Sequence, residues 1–150
     1  MKEIIFVCLG NICRSPMAEM MFDDLINKAD LKSNINVESR STSTYEIGNA
    51  PHPGAISELK RQNIPVIEHF AEQISDYDFR HADLIVGMDA QNIIDLKNMA
   101  PSGTEEKIFK AYDILDIDKE IEDPWFDHKF NRTFTQLEEV LPQWLEKVKA

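Results

Sequence analysis

The sequence predicts an α/β domain with parallel strands, and three observations carry that prediction. Ile4–Val7 and Leu84–Met88 are short continuous apolar runs, the pattern of strands covered on both faces. Helical patterns separate the strand candidates, and strands alternating with helices call for right-handed crossovers. The chain has 150 residues, 43% of them apolar. At that length roughly 68–70% of the unfolded surface is buried on folding, enough for a core without disulfides or a structural metal. No internal repeat or Gly/Ser-rich linker interrupts it, so residues 1–150 are expected to form a single domain.

The elements follow in order. After the strand at Ile4–Val7, a helical pattern runs from Met17 to Ala29, behind Pro16. Ile35–Ser41 alternates weakly and reads as a second strand. Pro51 and Pro53 bracket a short loop at the start of a helical stretch, His52–Gln62. Leu84–Met88 is followed by a helix over Ala90–Met99, and Lys107–Ala111 is a fourth strand candidate. The last helix is the clearest, because Phe134, Leu137, Val140, Leu141, Trp144, Leu145 and Val148 recur at three- and four-residue steps and form one apolar stripe.

Composition removes several function classes. Sixteen basic and 27 acidic residues give a net charge of −11, a poor electrostatic match for nucleic acid or an anionic membrane. The early apolar run is too short for a signal-peptide core or a membrane span, so a cytoplasmic protein is expected. The two cysteines, Cys8 and Cys13, are too few and too close for a disulfide framework or a four-ligand zinc site. His52, His81 and His128 are not spaced as a metal set and read as isolated side chains. The acidic stretch from Asp113 to Asp123 lacks the spacing of a calcium loop and reads as a solvated loop. No metal and no cofactor are expected.

In open α/β sheets, ligands collect at the carboxyl ends of the strands. At the end of the first strand the chain reads Cys8-Leu9-Gly10-Asn11-Ile12-Cys13-Arg14-Ser15-Pro16. Ser15 is placed to cap the following helix, with Pro16 at its first position. Gly10 and Asn11 tolerate left-handed backbone angles, and a loop curling there turns successive N–H groups inward as an anion nest, reinforced by the helix end. Cys8 enters at the floor and Arg14 leaves at the rim. Arg grips two oxygens of a tetrahedral dianion, and such positive surroundings favour a thiolate. Ser15 is placed to donate a hydrogen bond to that sulfur. A nucleotide-binding loop is excluded, because the Gly-Lys-Ser/Thr ending is missing.

A thiolate that attacks a tyrosine phosphate ester must expel a phenolate of pKa about 10, so a carboxylic acid is needed near the leaving oxygen. Among the acidic residues, Asp123 has the most suggestive setting, Glu122-Asp123-Pro124-Trp125-Phe126, where proline stiffens a loop and the aromatic rings can wall a pocket.

The segments C-L-G-N-I-C-R-S-P, S-T-S-T-Y-E-I-G-N and D-P-W-F, in that order, resemble the low-molecular-weight protein tyrosine phosphatase family over nearly the whole chain. The resemblance implies a four-stranded parallel sheet flanked by helices on both faces, and a metal-free, two-step mechanism through a cysteinyl-phosphate. It implies Cys8 as nucleophile, Arg14 as phosphate clamp and Asp123 as the acid that later activates water. Leu9, Gly10, Asn11, Ile12, Cys13 and Ser15 correspond to the rest of the phosphate loop. Asn11 and Ser39 correspond to a loop-supporting hydrogen-bonded pair, with His69 as the buttress of Asn11. Tyr45 and Glu46 match a pocket rim facing Trp125 and Phe126.

Three departures stand out. Trp125 and Phe126 occupy positions that are phosphorylatable tyrosines in animal members. Glu72 stands where many relatives have arginine, so the support around a helix expected there should differ. Ile12 is aliphatic as in tyrosine-directed members, whereas relatives acting on phosphoarginine tend to have threonine. The implied partner is a tyrosine-phosphorylated protein or peptide, with the enzyme a monomer or weakly self-associating. Three other functions remain open for the same loop: a protein arginine phosphatase, a thiol-coupled arsenate reductase using an external thiol, and a non-catalytic phosphotyrosine reader. Cys13 has two readings, a packed small side chain or a partner that traps oxidised Cys8 as a reversible disulfide.

Overall fold

The computed structural model describes residues 1–150. Its centre is β1 (Lys2–Cys8), which pairs in parallel with β2 (Ile35–Ser41) on one side and β3 (Leu84–Gly87) on the other, while β4 (Ile108–Lys110) lies outside β3. The sheet order is β2-β1-β3-β4, and all four strands are parallel. After β2 the chain crosses to the far side of β1, so the strand order reverses at the carboxyl end of β1. That is the switch point at which such folds open a ligand crevice.

The pleat of β1 splits the core in two. Ile4, Phe6 and Cys8 join the larger cluster with α1 (Arg14–Lys28) and α6 (Phe130–Lys149). Ile5 and Val7 join a smaller one with residues of α3 (Asp76–His81) and α4 (Ala90–Met99). Helices therefore cover both faces of the sheet, which is why β1 reads as an unbroken apolar run. The stripe on α6 is buried as expected, from Phe134 to Val148. Pro142 lies inside that helix on its exposed side. It leaves no donor for the Glu138 carbonyl, which faces water, so the stripe continues past it. No helix is long and apolar enough to cross a membrane.

Several boundaries differ from expectation. Helix α1 starts at Arg14 rather than Met17, and its N-cap is Cys13, without a side-chain capping bond. Ser15 and Pro16 thus lie within the first turn, at its second and third positions, and the Ser15 hydroxyl is directed elsewhere. Pro16 is still tolerated, because first-turn N–H groups have no intrahelical partner. Helix α2 is Pro53–Arg61, with His52 as its N-cap. Residues 69–73 form no helix; the segment is extended, with a single bridge between Gln73 and Ser41. Helix α3 escaped the sequence reading, although Ser75 and Asp78 close a reciprocal capping box that S-x-x-D signals. The acidic stretch contains a 3₁₀ turn at Ala111–Leu115, and Glu120 accepts the Ala90 N–H at the start of α4.

Candidate active site

The loop between β1 and α1 passes from the buried end of the strand to a helix end, and its one left-handed residue is Asn11, with φ 59°. Gly10 does not take up a positive φ, so the curl rests on Asn11 alone. Asn tolerates this conformation better than other side chains, and its buried amide secures it. Asn11 Nδ2 donates to Ser15 Oγ at 2.8 Å and to Ser39 Oγ at 3.0 Å. Its Oδ1 accepts the Glu72 N–H at 3.1 Å and faces His69 Nε2 at 3.0 Å. Every hydrogen-bonding position of the amide is filled.

This fixes the sulfur. Cys8 Sγ accepts the Asn11 N–H at 3.3 Å and lies 3.1 Å from Ser15 Oγ. The Ser15 oxygen already receives the Asn11 amide, and its other contact, the Arg40 carbonyl, is longer at 3.4 Å. Its hydroxyl proton is therefore available to the sulfur. The N–H groups of Leu9, Gly10, Ile12, Cys13, Arg14 and Ser15 donate to no acceptor in the chain, which leaves a run of free donors around Cys8.

Arg14 is 3% exposed and held from three sides. Nη1 donates to Asp89 Oδ2 at 2.8 Å and to the Ile121 carbonyl at 2.9 Å, and Nη2 lies 3.6 Å from Asp123 Oδ2. Burial works against its charge, but Cys8, Asp89 and Asp123 outweigh burial and raise its pKa. Asp89 was not anticipated from the sequence. It follows β3 and caps α4 in a box with Asn92, a signal that reads locally as a cap and nothing more. Asp123 sits across the cavity. Its Oδ1 accepts the Trp125 N–H at 3.0 Å, capping a one-turn helix, α5 (Pro124–Asp127), where the sequence suggested a loop.

A cavity of about 260 Å³ opens above Cys8. Its wall contains Leu9, Gly10, Ile12, Cys13 and Arg14 from the loop, Tyr45 and Glu46 from one side, and Asp123, Trp125 and Phe126 from the other. The structure thus gathers eleven of the fifteen expected site residues at one cavity. Asn11, Ser15 and Ser39 are fully buried behind it, with His69 beside them. Both cysteines are free, and burial, aided by the charges at Cys8 and Asp123, pushes the Cys13 thiol up to about 12.

Behind the loop lies another residue missed in the sequence. Glu19 of α1 accepts from Ser39 Oγ and lies 3.4 Å from His69 Nδ1. Burial pushes its carboxyl up to about 7, while burial lowers the pKa of His69. Glu72 delivers its backbone to Asn11, and its side chain lies 3.5 Å from Arg40 Nε. Arg40 also pairs with Asp78 at 3.1 Å. In this chain the guanidinium of that region thus comes from β2. His52 and His128 are not isolated either: their rings lie 5.9 Å apart, His52 packs edge-to-face on Trp125, and His128 lies beside Phe130. No group of three or more His, Cys, Asp or Glu side chains is arranged to hold a metal ion.

The family model for low molecular weight phosphotyrosine protein phosphatase matches residues 3–150. The human protein of that name is 40% identical, across 97% of this chain and 95% of its own. The crystal structure of YfkJ from Bacillus subtilis superposes with a TM-score of 0.94 at 36% identity, covering 99% of this chain and 95% of that one. The crystal structure of a Drosophila arginine phosphatase superposes with a TM-score of 0.89 at 31% identity, covering 100% and 99%. With the sheet order and the cysteine loop, these matches establish that the chain belongs to the low molecular weight phosphotyrosine protein phosphatase family.

Proposed function

We propose that the protein hydrolyses phosphotyrosine in proteins or peptides through a cysteinyl-phosphate on Cys8. The observation that carries this reading is one cavity in which a buried thiol, a run of unused N–H donors and a clamped guanidinium face a carboxyl group and aromatic walls. The Cys8 sulfur attacks phosphorus, and the S–P bond forms as the bond to the phenolic oxygen breaks. Asp123 gives its proton to that oxygen. The loop N–H groups and Arg14 hold the three equatorial oxygens as charge spreads over them. The Asn11 N–H and the Ser15 hydroxyl stabilise the sulfur before attack and again when it leaves. In the second step Asp123 takes a proton from water, water attacks phosphorus, and the S–P bond breaks to release phosphate.

Asp89 and the Ile121 carbonyl hold Arg14 in place, so it need not be ordered by the substrate. Tyr45, Trp125 and Phe126 suit a flat ring, and aliphatic Ile12 supplies no hydroxyl for the polar guanidine of a phosphoarginine. Two free cysteines in the site fit a reducing compartment, and the proposal includes a cytoplasmic setting.

The test is phosphate release in chelator from a phosphotyrosine peptide and from phosphoarginine, by wild type, Cys8→Ser and Asp123→Ala. Cleavage of the tyrosine ester, none by Cys8→Ser and about a hundredfold slowing by Asp123→Ala are expected. A strong preference for phosphoarginine would replace the substrate and keep the nucleophile. Hydrolysis of neither compound would refute the proposal.

A further inference from the structure

The phosphate loop and the Asp123–Phe126 wall of the cavity lie more than a hundred residues apart in sequence, and one residue touches both. His52 donates its backbone N–H to the Ile12 carbonyl at 2.8 Å, which ties it to the phosphate loop. Its ring lies edge-to-face with Trp125, with centroids 5.7 Å apart and planes at 84°. On another side it packs against Phe130, at 5.0 Å and 31°, and His128 lies 5.9 Å away. Trp125 lines the cavity, and its N–H is the one that Asp123 accepts.

The ring cannot turn freely. His52 Nδ1 accepts the Gly54 N–H at 2.9 Å, so the ring proton of the neutral imidazole is on Nε2 and the plane is set by the cap. Packing sets it again from below. A Cβ on Gly54 would sit 2.2 Å from the Phe130 ring, so helix α2 and Phe130 approach as closely as glycine permits. A shift of about 1 Å in a group that must meet a reacting atom costs on the order of a hundredfold in rate, so a device fixing the Asp123–Trp125 wall against the phosphate loop has kinetic consequences.

We infer that His52 is a positioning residue, which sets Trp125, and through it the Asp123 carboxyl, at a fixed distance from the loop that holds the phosphate. The inference rests on the phosphatase reading above. It predicts that losing the ring harms the step needing the acid and spares phosphate binding. Two substitutions separate the ring from the cap. His52→Asn keeps an acceptor for the Gly54 N–H, and asparagine is a good N-cap, but the ring is lost. His52→Phe keeps a ring against Trp125 and Phe130 and loses the cap acceptor.

The experiment compares kcat and KM on phenyl phosphate, whose leaving group needs a proton, and on 4-nitrophenyl phosphate, whose leaving group needs it less. It adds competitive inhibition by inorganic phosphate and the tryptophan emission spectrum, in which fully buried Trp144 supplies a constant background. For His52→Asn, kcat/KM on phenyl phosphate should fall about tenfold, that on the nitrophenyl ester should lose less than about threefold, and phosphate inhibition should hold within about twofold. Its emission should shift to the red as Trp125 loses its neighbour. His52→Phe should keep more than about half the wild-type kcat on both esters, with unshifted emission, while unfolding more easily because the N-cap acceptor is lost. Equal losses in kcat/KM on both esters, weakened phosphate inhibition in His52→Asn, or a His52→Phe enzyme as slow as His52→Asn would each overturn the inference. If wild type hydrolyses neither ester, the functional reading fails. The emission shifts, which need no turnover, then decide whether the ring sets Trp125.

Discussion

Replacing Asn11 by alanine removes an amide that is fully buried and whose four hydrogen bonds all go to other parts of the chain. Ser15 Oγ and Ser39 Oγ each keep another partner, in Cys8 and Glu19. The Glu72 N–H and His69 Nε2 keep none. An unpaired buried donor costs about 1–3 kcal/mol, and both of these sites are only partly buried, which favours the lower end. The backbone adds to this. Asn11 has φ 59°, and alanine in the left-handed region costs roughly 1–2 kcal/mol. Together these put Asn11→Ala about 3–5 kcal/mol below wild type in equilibrium urea unfolding, a large share of the 5–15 kcal/mol typical of such domains. Asn11→Gly isolates the backbone contribution. It loses the same hydrogen bonds without the Cβ penalty and should recover about 1 kcal/mol. Activity should fall by more than about tenfold in both, because Ser15 and the Asn11 N–H no longer converge on Cys8 as they do now. A loss below about 1 kcal/mol in Asn11→Ala, or identical values for alanine and glycine, would refute this account of the loop.

Three further predictions concern groups around the loop. Because burial pushes the Cys13 thiol up to about 12, iodoacetate at about pH 7 should label Cys8 and spare Cys13, with inorganic phosphate protecting; peptide mass spectrometry showing Cys13 labelled first would overturn it. Glu19 has its carboxyl raised to about 7, against about 4.3 unfolded, so the folded chain binds more protons between those values and stability falls as pH rises through that window. Glu19→Gln should therefore match wild type near pH 4 and exceed it by roughly 3 kcal/mol near pH 8, and a gap independent of pH would contradict the burial argument. Gly54→Ala should lower Tm, equivalent to about 1–3 kcal/mol from the clash with Phe130, whereas a rise would show that the ring steps aside and helix propensity wins.

What the sequence determined by itself was whatever is local. The alternation of strand and helix, the buried run of β1 and the stripe on α6 follow from the period of apolar side chains along contiguous residues. The thiol, the left-handed asparagine and the arginine are legible for the same reason, since eight residues from Cys8 to Ser15 carry them. The need for a leaving-group acid and the proline-stiffened aromatic segment singled out Asp123, and the family's motifs extended the reading to Tyr45, Ser39 and His69, which no local pattern would have paired with Cys8. The tertiary structure alone decided which groups hold these in place. Ser15 reads both as a helix cap and as a donor to the sulfur; the fold chooses the second, because Asn11 occupies its oxygen from behind and leaves the hydroxyl to face Cys8. Asp89 reads as a cap and is one, but the order β1-β3 also brings it to Arg14, 75 residues away in sequence. Glu19 looks like an ordinary helical glutamate until His69 and Ser39 close over it, and His52 like an ordinary loop histidine until α6 carries Phe130 against it. Local sequence sets which backbone a segment adopts, but a buried polar group takes its partner from whatever segment the sheet order places opposite, and that partner is not encoded in its neighbourhood.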